Sequence, residues 1–108
     1  MSKKLKILVI RFSSIGDIIL TTPILRCLKN QLNADIDFLT NSLYQELLLT
    51  NTNISDVFGL SKNTTQIIDI LRSKEYDIVI DLQNNFKSLK IRLSITISYS
   101  LERNISII

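Results

Sequence analysis

At 108 residues, with 45% hydrophobic and 21% charged content, the chain has room for one compact domain and none for a second independent core. Its net charge of +3 comes from bases spread along the chain without interleaved aromatics, a pattern that argues against nucleic acid as a partner. No histidine occurs and Cys27 is the lone cysteine, so Ser-His or Cys-His catalysis, an internal disulfide and a cysteine metal cluster are excluded.

Leu5-Lys6-Ile7-Leu8-Val9-Ile10 is a short run rich in branched residues, of the length and kind expected for a buried strand of a parallel sheet. Arg11 interrupts it too early for a signal peptide and no small-residue cleavage site follows. With no stretch near the ~20 apolar residues of a membrane span, the expected location is the cytoplasm. Mild basicity suits phosphorylated ligands and an anionic membrane surface equally well.

Arg11-Phe12-Ser13-Ser14-Ile15-Gly16-Asp17 then forms a strand-to-helix turn, because Ile18-Ile19-Leu20, Ile24-Leu25 and Leu28 recur downstream at helical spacing. Such turns lie at the carboxyl end of a strand, where open α/β sheets bind ligands. The Ser13 and Ser14 hydroxyls and the backbone around Gly16 could line an anion or sugar-hydroxyl site at the helix N-terminus. Gly16 allows a positive φ or a close approach by a ligand, and Asp17 is the only acid of the turn. An alternative carries equal weight: Asp17 is an N-cap, and the serines satisfy loop backbone groups.

The helix is expected from about Asp17 to Leu32, either kinked at Pro23 or restarted there with Thr22 as cap. Ala34 to Thr40 alternates as a second strand, with Asp35 and Asp37 on one polar face rather than acting as a metal-binding pair. Ser42 and Gln45 have capping-box spacing ahead of a short helix, Asp56 to Leu60 reads as a third strand, and Asn63 with Gln66 marks another capping box. Tyr76 to Leu82 is a strong fourth strand ending in the polar cluster Asp81, Gln83, Asn84 and Asn85. A basic helix from Asn84 to about Arg92 follows, with Phe86, Leu89 and Leu93 as its apolar side. Ile95, Ile97 and Tyr99 alternate with serines as a fifth strand, and the apolar ending Ile105-Ser106-Ile107-Ile108 reads as a cut rather than a domain end.

Strands separated by helices imply an α/β fold with an open parallel sheet, in the order 3-2-1-4-5. In that order the first and fourth strands are neighbours, so the Ser13 to Asp17 turn and the Asp81 to Asn85 cluster should line one crevice.

Lys6 to Pro23, with its basic residue, paired serines, Gly16-Asp17 and a proline six residues on, resembles the opening of glycosyltransferase family 9, the heptosyltransferases of lipopolysaccharide inner-core synthesis. Ile80-Asp81-Leu82-Gln83-Asn84-Asn85 followed by Lys87-Ser88 is similar to that family too. The resemblance implies the Rossmann-like N-terminal, acceptor-side half of a GT-B enzyme, with a C-terminal donor-binding domain absent from these residues. It further implies inverting transfer of heptose from ADP-heptose to a lipopolysaccharide core precursor without a metal or cofactor, at the cytoplasmic face of the inner membrane. Asp17 would be the general base, and Ser13, Ser14, Gly16, Asp81, Gln83, Asn84 and Lys87 the substrate-binding residues. The chain alone, lacking a donor site, is expected to be inactive. A different class stays open beside it: a standalone flavodoxin-like module that binds a phosphorylated metabolite or a partner protein without catalysis.

Overall fold

The computed structural model describes residues 4–62, 64–97 and 106–108. Strand β1 (Leu5–Ile10) leads into α1 (Ile15–Gln31), β2 (Ala34–Asn41), a 3-10 turn at Ser42–Tyr44 continued by the single turn α2 (Gln45–Leu48), and β3 (Asp56–Leu60). Then come α3 (Thr65–Lys74), β4 (Ile78–Asp81), α4 (Phe86–Ile97) and β5 (Ser106–Ile107). The strands form one sheet in the order β3-β2-β1-β4-β5, and every pairing is parallel. This is the α/β order expected from the sequence.

The two-residue period of the strands divides the core. Leu8, Ile10, Leu39, Leu60 and Val79 face one side and pack with Leu71, Tyr76, Ile91 and Ile95 from α3, the loop after it and α4. Ile7, Val9, Ile36 and Phe38 face the other and pack with Ile18 and Leu25 of α1 and Leu48 of α2. β1 is the centre of both layers, with Ile7, Leu8, Val9 and Ile10 all at 1% exposure or less. Truncating any of these four to alanine should cost about 2–5 kcal/mol.

α1 passes through Pro23 without a break, so it neither ends nor restarts at Thr22. Proline cannot donate to the carbonyl four residues back, that of Ile19. The Thr22 hydroxyl donates to that carbonyl instead, across 2.8 Å. The start of α2 differs from expectation as well. Asn41, not Ser42, caps the 3-10 turn by accepting from the Leu43 N–H, and the Gln45 amide reaches across to the Val57 carbonyl. Gly59 is the one position where lack of a side chain is structural, since a Cβ there would collide with the Gln45 amide. The capping box expected at Asn63 lies outside the described residues, and α3 begins at Thr65.

The last part of the sequence reading needs the largest correction. Ile95 and Ile97 belong to α4 rather than to a fifth strand, while Tyr99 lies outside the described residues. The fifth strand is Ser106–Ile107, hydrogen-bonded to Asp77 and Val79 of the β4 segment. The buried side of α4 is Ser88, Ile91 and Ile95, whereas Phe86 is 75% exposed and Leu93 half exposed. Apolar residues that recur at three to four positions can mark either of two helix faces, and the sheet selects the slimmer one.

Asp35 and Asp37 stand near the amino-terminal edge of the sheet, away from the β1–α1 turn, and do not form one solvent-facing strip. Asp35 pairs with Lys4 across 3.1 Å. Asp37 is buried and accepts from the Tyr76 hydroxyl at 2.6 Å and the Asp56 N–H at 3.2 Å. Burial pushes the Asp37 carboxyl above its usual 3.8, and the Tyr76 hydroxyl opposes that shift. A carboxyl raised in the folded state binds its proton more readily there than in the unfolded chain. Its ionisation therefore subtracts stability as pH rises from 3.8 through the folded value. Tyr76→Phe is expected to cost about 1–2 kcal/mol at neutral pH and to extend that window upward. Urea-unfolding midpoints followed from about pH 4 to 7 check both effects.

Candidate functional site

Ile10 and Asp81 are register partners at the carboxyl ends of β1 and β4. Everything that follows β1 is thereby set against everything that follows β4. The Leu82 N–H donates to the Ile10 carbonyl across 2.9 Å, which keeps the two chains together one residue past the sheet. Gln83 then acts as a strut: its side-chain Oε1 accepts from the N–H groups of Phe12 at 3.0 Å and Ser13 at 3.3 Å. The Arg11 guanidinium closes the same gap from the other side, Nη1 donating to the Leu82 carbonyl at 2.6 Å.

The second Arg11 terminal nitrogen, Nη2, lies 2.8 Å from Asp17 Oδ2. That oxygen also accepts from the Ser14 hydroxyl at 2.8 Å and the Ser14 N–H at 3.4 Å. Ser14 is the N-cap of α1 and Asp17 its third helical residue, so the two exchange places relative to the capping alternative, in which Asp17 was the cap. The Ser14 hydrogen bonds, and after them Arg11, hold the Asp17 carboxyl below its ordinary 3.8. Its other oxygen, Oδ1, receives no hydrogen bond among the described residues. The Asp17 side chain is half exposed and borders a cavity of about 230 Å³ shared with Arg11, Leu20, Thr21, Ile24 and Leu82. Ser13 is exposed beside it, and Gly16 has no positive φ. A Cβ at Gly16 would meet nothing within 4 Å, so the room it leaves opens to solvent.

Across the crevice the residues divide. Asp81 is buried, its side chain only 2% exposed; Oδ1 accepts from the N–H groups of Gln83 and Asn84, and Oδ2 sits 3.0 Å from Arg92 Nε. Asn84 is exposed with φ of 47°, a left-handed turn that asparagine tolerates. Asn85 and Ser88 cap α4 reciprocally, each backbone N–H meeting the other's side chain at 2.9 Å. Lys87 places its ammonium 5.3 Å from the centroid of the Phe12 ring and borders a cavity of about 330 Å³ with Lys62, Ser42 and Ser61. The structure thus gathers Ser13, Ser14, Gly16, Asp17, Asn84 and Lys87 on one edge, with Asp81 and Gln83 spent on holding that edge together. Arg11 and the Arg92–Asp81 pair escaped the sequence reading. Arg11 carried a signal, an arginine directly after a buried strand, whereas Arg92 meets Asp81 only through the fold.

No protein-family profile matches the chain. A curated relative, lipopolysaccharide heptosyltransferase 3 of Escherichia coli (strain K12), is 36% identical over a match covering 66% of this chain and 24% of that protein. The solved structure of a glycosyl transferase family 9 protein from Veillonella parvula DSM 2008 superposes with a TM-score of 0.74 at 24% identity, covering 88% of this chain and 31% of that one. ADP-heptose lps heptosyltransferase II of E. coli superposes with a TM-score of 0.72 at 28% identity, covering 83% of this chain and 28% of that one. Sequence and fold together bear out the resemblance to the N-terminal portion of glycosyltransferase family 9, and the assignment they carry is to the glycosyltransferases. The heptosyltransferases are the relatives within that class, and the chain spans about a quarter of the length of the curated one. No helix of the described residues is long and apolar enough to cross a membrane.

The Gln83 strut and the Asp17 carboxylate make separable predictions. Gln83→Leu strands the Phe12 and Ser13 donors and should cost about 1–2 kcal/mol in urea unfolding, with Gln83→Glu retaining most of the stability. A carboxyl held below 3.8 in the folded state adds stability above that pH and loses it as pH falls through the folded value. Asp17→Asn should therefore flatten the acid limb of the stability curve, a change that thermal melts between about pH 2 and 5 would reveal.

Proposed function

We propose that these residues are the acceptor-side half of an inverting heptosyltransferase, in which Asp17 takes the proton from an acceptor hydroxyl. The observation that carries the reading is the asymmetry of the Asp17 carboxylate. Oδ2 is held by Ser14 and Arg11 while Oδ1 has no donor among the described residues, on the edge of a sheet where β1 and β4 end together. The names of the E. coli relatives, with lipopolysaccharide as acceptor and ADP-heptose as donor, support those two substrate classes.

In the reaction the acceptor oxygen attacks the anomeric carbon of the donor as its proton passes to Asp17 Oδ1. The bond from that carbon to the diphosphate breaks, and ADP leaves with the electron pair, inverting the centre. A carboxylate held below its usual range is a weak base toward a resting hydroxyl. Transfer therefore runs late, when the forming C–O bond has made the hydroxyl acidic. One carboxylate suffices because a diphosphate leaves without the acid that a sugar alkoxide needs. Neither step calls for a metal or a cofactor. Ser13 and the open side of Gly16 would border the reacting sugars, Asn84 and Lys87 would meet the acceptor, and Asp81 and Gln83 would serve it through the backbone they hold. The donor would be bound by a C-terminal domain, with the protein at the cytoplasmic face of the inner membrane.

The same hydrogen bonds favour a second reading, in which Asp17 does no more than complete the capping box of α1 behind Ser14 and the crevice binds a phosphorylated metabolite or a partner protein. Titration calorimetry separates the two. Saturable binding of a lipopolysaccharide core precursor, without ADP-heptose binding or turnover by the 108 residues alone, is the expected outcome; binding of phosphosugars with no response to the precursor would move the assignment to the second. In a protein carrying a donor-binding domain behind these residues, Asp17→Asn should keep the fold and cut turnover by about 100-fold or more.

A further inference from the structure

Arg11 does work in the site that the general-base reading leaves unassigned. Its side chain is 23% exposed, an unusual degree of burial for a guanidinium. Two nitrogens are committed, one to the Leu82 carbonyl and one to Asp17 Oδ2, and the third, Nε, is buried without a hydrogen-bond partner among the described residues. If stability alone were served, an apolar side chain filling the same space would do as well or better, since a buried cation with an unmet donor offsets much of its own attraction. Both arms of its fork are engaged within the protein, one on a backbone carbonyl and one on a carboxylate.

What the fork achieves is geometric. One arm is anchored to backbone that β4 holds in place, and the other fixes a single oxygen of a half-exposed carboxylate. Ser14 approaches that same oxygen from the helix cap. With Oδ2 held from two directions the carboxylate cannot turn about its final bond without breaking contacts. Oδ1 is thereby left without a hydrogen bond among the described residues, on a carboxylate that borders the cavity of about 230 Å³. A lysine could not do this, since one ammonium on a flexible stem lacks the planar fork that spans a carbonyl and a carboxylate together.

We propose that Arg11 is a positioning residue: by clamping Asp17 Oδ2 against the end of β4, it presents Oδ1 to the acceptor hydroxyl. The proposal rests on Asp17 being the base. Arg11 touches no substrate and acts through Asp17 alone.

The test is made on the 108-residue chain by following the 13C signal of the Asp17 side-chain carboxyl, assigned by its loss in Asp17→Asn. In Arg11→Gln its titration midpoint should rise by about half a pH unit or more, since one charged donor is gone and Ser14 remains. A lipopolysaccharide core precursor carrying the acceptor sugar should move the signal in the wild type and move it by less than half as much in Arg11→Gln at equal saturation. Arg11→Lys guards against a folding failure of that variant. It keeps the charge and should stay near the wild-type midpoint, yet it should still lose the response to the precursor. A helix-packing role alone would move neither the midpoint nor the response in a folded variant. Wild-type midpoint and wild-type response in Arg11→Gln would overturn the proposal, as would a wild-type response in Arg11→Lys if Arg11→Gln does not fold. No movement of the signal in the wild-type chain at saturating precursor would instead overturn the general-base reading, and the positioning role with it.

Discussion

The parallel pairing of β1 with β4 is the constraint on which the rest of the molecule depends. Four register pairs, from Ile7 with Ile78 to Ile10 with Asp81, bring together segments some seventy residues apart in the chain. Because strand order reverses at β1, the helices after these two strands leave on opposite faces and the edge between them stays uncovered. The contacts that tie the two strand ends together, Gln83 on the Phe12 and Ser13 backbone and Arg11 on the Leu82 carbonyl, span that same seam. A slip of one residue would turn Ile10 toward the wrong layer and carry Arg11 away from Leu82, so hydrophobic register and site geometry are the same constraint.

Two acids stand at this edge, each with an arginine, and their surroundings assign them different work. Asp81 is almost fully enclosed, with both oxygens engaged: one by two backbone donors, the other by Arg92 from α4. A carboxylate so committed is a structural pin that ties the β4 turn to the helix after it, and its burial is tolerable only because those partners are present. Asp17 is half exposed, with its partners confined to one oxygen. Chemistry needs a lone pair that faces a substrate, and only the second arrangement supplies one.

Much of this was legible before folding. β1, the turn after it, the parallel order and the convergence of the two strand ends follow from a continuous apolar run, helical spacing behind it and the rules of parallel connection. The fifth strand was not, because Ile95 and Ile97 two positions apart fit a strand while Ile91 and Ile95 four apart fit a helix, and local spacing cannot choose between them. The burial of Asp37 was hidden for a similar reason. Alternation shows which residues share a face but not that Tyr76, from the loop after α3, closes over this one. The Asn85–Ser88 cap has the three-residue spacing of a reciprocal cap, but it sits beside Lys87 in a segment whose charges are the stronger local pattern. Arg11 was marked by its place directly after a buried strand, but Arg92, the partner of Asp81, had no such mark, since an arginine on a basic helix is usually a solvated charge.

The capping of α1 and the preparation of a base are usually set against each other as rival explanations of one aspartate. Here they are complementary. A capping box needs a carboxylate oxygen near the N-cap backbone, and Asp17 satisfies that with Oδ2 alone, which accepts from the Ser14 N–H and hydroxyl. A base needs a carboxylate that is ionised, restrained and still has an oxygen to offer. The hydrogen bonds that begin the helix supply ionisation and restraint together, and they leave Oδ1 outside the arrangement. The positive end of the α1 dipole adds to the same bias, favouring the anion at its first turn. The cost is basicity, which falls as the anion is stabilised. Under the proposed function, such a site suits a reaction whose substrate proton becomes acidic as bonds form, as a hydroxyl does when it attacks a sugar carbon bearing a diphosphate.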